Sequence, residues 1–356
     1  MHDRDSRPKR SEPGPDPKPP STPGRISAMA HEALDVASAA RTVAKEDLRM
    51  LIEKVSGHPS HQTAQDLATE QQRADRAERA LHPDQRSAYE KPGAPPVLGR
   101  PVLMIPGLTM DAASFDPMTD QLDSTGHNGR AAVYVAAEGR FHFGGVNGPV
   151  ASASQLARVR MFQLQYKDPK AAPTAKEPQI AAAMAAIQSA TGASTVDVVT
   201  HSAGGTDFRL YLQERDPKAG PAIGNTVLIG PASHGTFMGD VGGAIGQPMG
   251  LDKAGKELAM HSPLIEMLNK TWDHQRDQIT GNVTIIAVGG APTIGPHGVS
   301  DGDGYMPANQ AAMPRADTVY LRGLDPTAIA HLREVEYAGV IAVVQEALAK
   351  GNVRTQ

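Results

Sequence analysis

The stretch Val196-Asp197-Val198-Val199-Thr200-His201-Ser202-Ala203-Gly204-Gly205 decides the fold. A β-branched run leads into T-H-S-A-G-G, and an apolar-periodic segment follows, so the stretch predicts a strand, a sharp turn and a helix. This is the context of a nucleophile elbow, in which a serine on a strained turn presents its Oγ. Thr200 stands where the G-x-S-x-G form has its first glycine, and threonine is small enough to fit. Ser202 is therefore the candidate nucleophile, and the alternative is a serine that only closes the turn.

The composition of the chain limits its class of function. Its 356 residues allow one large α/β domain with an appendage, or two domains. A net charge of −4 and a sequence pI near 6.4 argue against a nucleic-acid-binding protein. The absence of cysteine excludes disulfides, thiolate nucleophiles and cysteine-based zinc sites. No run reaches the roughly 18 apolar residues of a membrane span, and the polar N-terminus has no secretory signal. We therefore expect a cytoplasmic protein, with signal-independent secretion as the alternative.

The first 92 residues differ in composition from the rest of the chain. Residues 1–25 contain seven prolines and almost no apolar side chains, which predicts a disordered tail. Residues 26–92 carry two stretches with helical spacing and predict a helical hairpin extension. This hairpin either packs on the main domain or binds a protein partner.

Residues 93–356 show short apolar runs that alternate with helical stretches. The alternation predicts an α/β domain with a mostly parallel central sheet flanked by helices. The predicted strands are Pro101–Ile105, Ala131–Val135, Thr195–Thr200, Thr226–Ile229, Val283–Val288 and Thr318–Leu321. The predicted helices are Glu177–Ala190, Thr206–Glu214, Ser262–Asn269 and Leu332–Ala349. Residues 233–275 predict a lid or insertion, because the part up to residue 261 is rich in glycine and has few strand signals.

Two later loops carry the partners that a serine nucleophile needs. A serine hydroxyl requires a base, and that base requires an orienting group. Asp301 and Asp303 follow one predicted strand, and His331 follows the next. Active sites of open α/β sheets assemble at such carboxyl ends of strands. His331 is the candidate base, unless it is satisfied by nearby backbone. Both aspartates remain candidates for the acid. Their D-G-D-G sequence could also indicate a calcium loop, but the further acidic ligands of an EF-hand are missing.

An acyl-transfer site also needs N–H donors for the tetrahedral oxyanion. We predict the backbone N–H of Ala203, directly after the candidate nucleophile, and that of Leu108, after the first predicted strand. Thr109 is the second choice for the latter position and a candidate for the substrate-facing wall. His201 and His234 are further candidates for that wall, although His201 adjoins Ser202 and is also placed to structure the turn.

These motifs together resemble the α/β-hydrolase superfamily, specifically bacterial lipases and lipase-like serine acylhydrolases, over about residues 101–349. Pro106-Gly107-Leu108 is similar to the family's oxyanion segment, commonly His-Gly-x, and His261–Asn269 is similar to its S-P-F-L-x-x-L-N segment. Asp303-Gly304-Tyr305-Met306-Pro307 resembles the D-G-x-V-P acid loop, which favours Asp303 over Asp301. Ala330-His331-Leu332 resembles the G-H-L around the catalytic histidine.

The resemblance implies a serine hydrolase that cleaves carboxylic esters, of a lipid or another acyl compound, through Ser202, His331 and Asp303. It implies no metal and no organic cofactor, and its binding partner is a small-molecule or lipid ester. Two alternatives stay open: an acyltransferase or amidase on the same fold, and an inactive binding protein that works through its N-terminal helices. Departures at Pro106, Thr200 and Ala330 indicate a divergent member.

Overall fold

The computed structural model describes residues 85–236, 251–295, 298–323 and 329–350. The predicted tail (1–25), most of the predicted helical hairpin (26–92) and residues 237–250 of the predicted insertion lie outside these residues.

The described residues contain eleven strands. In chain order they are β1 (Arg86–Ser87), β2 (Val102–Ile105), β3 (Ala132–Val135), β4 (Arg140–Phe143), β5 (Met161–Gln165), β6 (Thr195–His201), β7 (Ala222–Ile229), β8 (Val283–Val288), β9 (Ala291–Gly295), β10 (Gly298–Gly302) and β11 (Asp317–Arg322). Nine of them form the central sheet in the order β1-β11-β8-β7-β6-β2-β5-β3-β4, and β9 and β10 form a separate antiparallel hairpin. Every neighbouring pair in the central sheet is parallel except β3 and β4.

Nine α-helices are described with these strands. They are α1 (Asp116–Leu122), α2 (Ala153–Leu156), α3 (Pro173–Thr191), α4 (Ala203–Glu214), α5 (Asp252–Leu258), α6 (Pro263–Lys270), α7 (Trp272–Asp277), α8 (Ile329–Leu332) and α9 (Ala338–Ala349). Within the described ranges, no helix has the length and apolar character to cross a bilayer.

Both faces of the sheet are buried, which explains its apolar strands. Successive residues of β2 alternate between two cores: Leu103 and Ile105 pack with α3 and α4 residues, and Val102 and Met104 pack with α1 and α9 residues. A parallel strand covered on both faces carries apolar residues at both alternations. The sheet therefore positions its carboxyl-end loops rigidly.

All six predicted strands are present, and β6, β7 and β11 extend further than predicted. Three of the predicted helices correspond to α3, α4 and α6, and Ser262 caps α6 by accepting a hydrogen bond from the N–H of Ile265. These elements confirm the predicted fold class, a mostly parallel sheet flanked by helices.

The predicted helix Leu332–Ala349 is wrong as a single element. The chain leaves α8 at Leu332, forms a 3-10 helix over Glu334–Glu336, and is extended at Tyr337 before α9 begins. The break lets the first turn of α9 dock on β1, where the N–H of Gly339 donates to the carbonyl of Ala88 (2.8 Å).

The predicted boundary between extension and main domain lies too late in the chain. Residues 86 and 87, assigned by sequence to the helical hairpin, form β1 and pair with β11. The guanidinium of Arg86 joins this strand to α9 by donating two hydrogen bonds to the carboxylate of Glu346 (2.8 and 3.0 Å). A two-residue strand carries too short a pattern to be recognised in the sequence.

The described part of the predicted insertion is largely helical, through α5, α6 and the start of α7. The guanidinium of Arg209, on α4, is buried and connects this region to the domain. It donates to Gln275 Oε1 (3.0 Å), to Asn269 Oδ1 (3.0 Å) and to the carbonyl of Ser233 (2.6 Å). Three acceptors around one planar group fix the orientation of these elements.

Candidate active site

The turn between β6 and α4 holds Ser202 in a strained backbone conformation. Its φ of 54° and ψ of −130° lie in a region that residues with a side chain rarely adopt. The N–H of Ser202 donates to the carbonyl of Ile229 (2.9 Å), which anchors the turn to β7. The start of α4 also lies close to the end of β2, because a Cβ built on Gly204 would lie 2.6 Å from the carbonyl oxygen of Pro106. The geometry is that of the predicted elbow.

Thr200 fits this elbow because the residue that faces it is a glycine. A Cβ on Gly205 would lie 3.3 Å from the Oγ1 of Thr200 and 3.2 Å from the Cβ of Pro231. Gly205, the residue directly after the five-residue motif, therefore leaves the volume that the threonine side chain fills. This accounts for the departure from G-x-S-x-G.

A continuous line of hydrogen bonds joins three predicted residues from three loops. The hydroxyl of Ser202 donates to Nε2 of His331 (2.7 Å), and Nδ1–H of His331 donates to Oδ2 of Asp303 (2.7 Å). The other oxygen of Asp303 accepts from the N–H groups of Tyr305 and Met306, each at 2.7 Å. This network assigns the proton of His331 to Nδ1 and leaves Nε2 as a base facing the serine.

Asp301 has a different position and different partners. Its carboxylate accepts from Nη2 of Arg322 (2.6 Å) and from the N–H of Gly290 (2.9 Å). The predicted loop in this region contains the β9–β10 hairpin, and Asp301 lies within β10 while Asp303 follows it. The structure therefore brings Asp303, and not Asp301, to His331.

The backbone N–H groups of Leu108 and Ala203 are the predicted oxyanion donors. The N–H groups of Leu108 and Ala203 have no acceptor among the residues that the structure describes. The N–H of Thr109 donates instead to the carbonyl of Pro169 (3.0 Å), and its φ is 65°. A Cβ on Gly107 would lie 3.0 Å from the Cβ of Ser202, so this loop touches the serine. The arrangement favours Leu108 over Thr109 as donor.

His201 lies beneath the turn that carries Ser202. Its side chain has no exposed surface, and its Nε2–H donates to the carbonyl of His331 (2.9 Å). The prediction that it lines the substrate wall is wrong, because burial between two elements removes it from solvent. His234 is half-buried and contacts the carbonyl of Ala312 and the side chain of Asn269. Its predicted place in the substrate wall stays a prediction.

Sequence reasoning missed Glu334, a fully buried carboxylate of the 3-10 helix. Its Oε2 lies 3.2 Å from Nε2 of His201 and 3.6 Å from Nδ1 of His331. The only signal in the sequence is its spacing of three residues from His331, which places two side chains on one helical face.

Two carboxylates make the environment of His331 strongly negative. Burial disfavours the charged ring, but Asp303 and then Glu334 outweigh it and raise the pKa of His331 above its ordinary value near 6.5. Burial lowers the pKa of His201, which agrees with a neutral ring. The site thus stabilises an imidazolium at His331.

Within the described ranges, one group of side chains has spacing that suits a metal ion. Ligand atoms of His201, His331 and Glu334 lie within 4.8 Å of one another. All three side chains are buried and are engaged in the hydrogen bonds described above. The donor set is therefore used within the protein, and the described geometry fits proton transfer better than metal binding.

Residues 98–307 match the family model of alpha/beta hydrolases of unknown function (DUF915). The chain belongs to this α/β-hydrolase family. Its fold is similar to that of the lin2722 gene product of Listeria innocua, with 22% identity and a TM-score of 0.50 over 70% of this chain and 94% of that one. The lipase BlEst2 of Bacillus licheniformis in its mature form is also similar, with 16% identity and a TM-score of 0.47 over 73% and 94% of the two chains. No curated protein sequence matches the chain. Family membership supports hydrolase activity.

Proposed function

We propose that this hydrolase cleaves carboxylic esters through Ser202, His331 and Asp303. The proposal is carried by one observation, the unbroken line of 2.7 Å hydrogen bonds from the serine hydroxyl through the imidazole to the carboxylate. A nucleophile, a base and an orienting acid in this order are the elements of acyl transfer to serine.

In the proposed first step, Oγ of Ser202 attacks the ester carbonyl carbon while its proton passes to Nε2 of His331. The carbonyl oxygen becomes an oxyanion that accepts hydrogen bonds from the N–H groups of Leu108 and Ala203. The bond from carbon to the leaving oxygen then breaks, and His331 returns the proton to the departing alcohol. Water repeats the sequence on the acyl-enzyme, with His331 as base, and releases the acid and free Ser202.

We further propose an apolar acyl group for the substrate. Met110 is partly exposed, and its Sδ would lie 3.3 Å from a Cβ on Gly107, beside the serine. Methionine adapts its shape to irregular apolar partners, which suits an acyl chain. A lipid or another acyl ester is the substrate class that an apolar surface formed by Met110 favours.

Labelling with a fluorophosphonate probe tests the proposed nucleophile. The wild type is expected to label covalently, whereas Ser202→Ala remains unlabelled although folded. Ser114→Ala, which removes a hydroxyl that donates to the backbone carbonyl of Asp111, serves as the matched control and labels like the wild type. Unchanged labelling of Ser202→Ala would refute the assignment of the nucleophile.

A panel of p-nitrophenyl esters with increasing acyl length tests the substrate class. We expect kcat/KM to rise from the acetate to medium or long acyl chains, because each buried methylene contributes about 0.8 kcal/mol of transfer free energy. A steep fall beyond the shortest esters would contradict an acyl-binding wall and favour a simple esterase. Product analysis with added alcohol separates hydrolysis from acyl transfer.

A further inference from the structure

Glu334 carries a carboxylate that is fully buried at the candidate active site. A carboxylate moved out of water is costly unless other groups stabilise its charge. The chain makes space for it at the end of β7, since a Cβ on Gly230 would overlap the carboxylate of Glu334. Gly230 also has a φ of 47°, a conformation that glycine adopts readily. The fold thus accommodates this carboxylate at the centre of the site.

One oxygen of Glu334 faces both buried histidines. Oε2 lies 3.2 Å from Nε2 of His201 and 3.6 Å from Nδ1 of His331. The same Nε2–H of His201 donates to the main-chain carbonyl of His331 at 2.9 Å. Because His201 directly precedes Ser202, this contact connects the turn that carries the serine to the helix that carries the base.

We propose that Glu334 is a positioning residue for the proposed ester hydrolysis: with His201 it fixes His331 against Ser202, and its charge assists Asp303 in stabilising the imidazolium. The role rests on the proposed function. Because Glu334 is fully buried against the imidazole rings of His201 and His331, it acts through these two rings.

Among the described residues, the charged and titratable groups that face His331 come from three elements. Asp303 and Tyr305 approach from the loop after β10, with the Tyr305 ring stacked on the imidazole at 5.3 Å between centroids. His201 approaches from the end of β6 at 5.0 Å between centroids, and Glu334 from the 3-10 helix. Burial would raise the pKa of Glu334, but His331 and His201 outweigh it and lower this pKa, so the carboxylate keeps its charge at neutral pH.

The test compares Glu334→Gln with Glu336→Gln in the full-length chain. Glu336 lies in the same 3-10 helix but is exposed and paired with Arg333, so its variant controls for a change of charge nearby. The measurement is the second-order rate constant of fluorophosphonate labelling of Ser202 from pH 5 to pH 10. Its acid limb reports the protonation of His331 in the free enzyme.

Loss of the Glu334 charge disfavours the imidazolium and therefore lowers the pKa of His331. We expect the acid limb of Glu334→Gln to move by about one pH unit to lower pH, with a plateau about tenfold below the wild type. Glu336→Gln is expected to keep both. A wild-type acid limb and plateau in folded Glu334→Gln would overturn the role of Glu334 and leave the proposed function intact.

Glu334→Asp provides a second variant that keeps the charge but shortens its reach. We expect an acid limb close to that of the wild type together with a lowered plateau, a separation that a merely structural role would not produce. If Glu334→Gln does not fold, this variant decides, and a wild-type profile in it overturns the inference. Absence of Ser202-dependent labelling in the wild type would overturn the proposed function itself, and this role with it.

Discussion

Gly204→Ala is the substitution that most directly tests the close approach of α4 to β2. The added Cβ would lie 2.6 Å from the carbonyl oxygen of Pro106 and 2.7 Å from that of Ile105. Both distances are roughly 0.8 Å shorter than van der Waals contact allows. Neither oxygen can move aside as a flexible side chain would, because both belong to the backbone at the end of a buried strand.

Two opposing effects determine the stability of this variant. Alanine in the first turn of a helix gains up to about 1 kcal/mol over glycine from helix propensity. Overpacking a rigid site costs about 1–3 kcal/mol, and here two backbone atoms are overlapped at once, so the cost wins. We expect a net loss of about 1–2 kcal/mol in the free energy of unfolding.

The functional loss in this variant should exceed the loss of stability. Relief of the overlap moves the start of α4, and with it the N–H of Ala203, away from β2 and Leu108. An oxyanion donor that is lost costs roughly a hundredfold or more in kcat. Urea unfolding and the labelling rate of Ser202 measure the two effects, with Gly93→Ala, which has open space around its Cβ, as control. Wild-type stability together with a wild-type labelling rate in Gly204→Ala would refute the argument.

Three further predictions concern the charges of the site and its support. Asp303→Asn places an amide against Nδ1–H of His331 and is expected to lower kcat/KM by about a hundredfold or more. Asp301→Asn loses its ion pair with Arg322, so it is expected to lower stability and to leave kcat unchanged. Equal losses of activity in the two variants would contradict the assignment of Asp303. Because the pKa of His331 is raised and the base must be neutral, kcat/KM should increase with pH and reach half its maximum above pH 6.5; a midpoint well below 6.5 would count against this reasoning. In Arg209→Lys the ammonium cannot reach all three acceptors, so the free energy of unfolding should fall by about 2 kcal/mol in urea titrations. An unchanged unfolding midpoint would show that the buried guanidinium is not needed for stability.

The sequence predicts the parts of this fold that have strong periodicity. Buried strands such as Val283–Val288 are apolar at both alternations, and the elbow carries its own turn chemistry in Ser202 and two glycines. The strand Arg140–Phe143 is not predicted, because its hydrophobic pattern is irregular and it pairs antiparallel at the edge of the sheet. The break at Tyr337 is not predicted either, since the apolar positions on either side continue with helical spacing.

Predictability of the site follows a similar division. Ser202, Asp303 and His331 each follow a predicted strand and lie in a motif, so their residue types and order point to one another. Glu334 is brought to the site by a 3-10 helix that interrupts a helical pattern. Apart from its spacing of three residues from His331, its local sequence does not distinguish it from Glu336, which faces solvent. Burial of a carboxylate is decided by tertiary contacts, which the pattern of a single segment does not contain.

The pairing of β1 with β11 has a practical consequence for dissecting the chain. Ala88 is wholly buried, its N–H donates to the carbonyl of Arg322 at 2.8 Å, and its own carbonyl receives the N–H of Gly339. A shortened protein that starts at residue 93 would lose this strand and expose the flank of β11 and the first turn of α9. Loss of activity after such a deletion would therefore reflect damage to the main domain and would not show that the N-terminal segment has a function in activity. A fair deletion ends before Gln85.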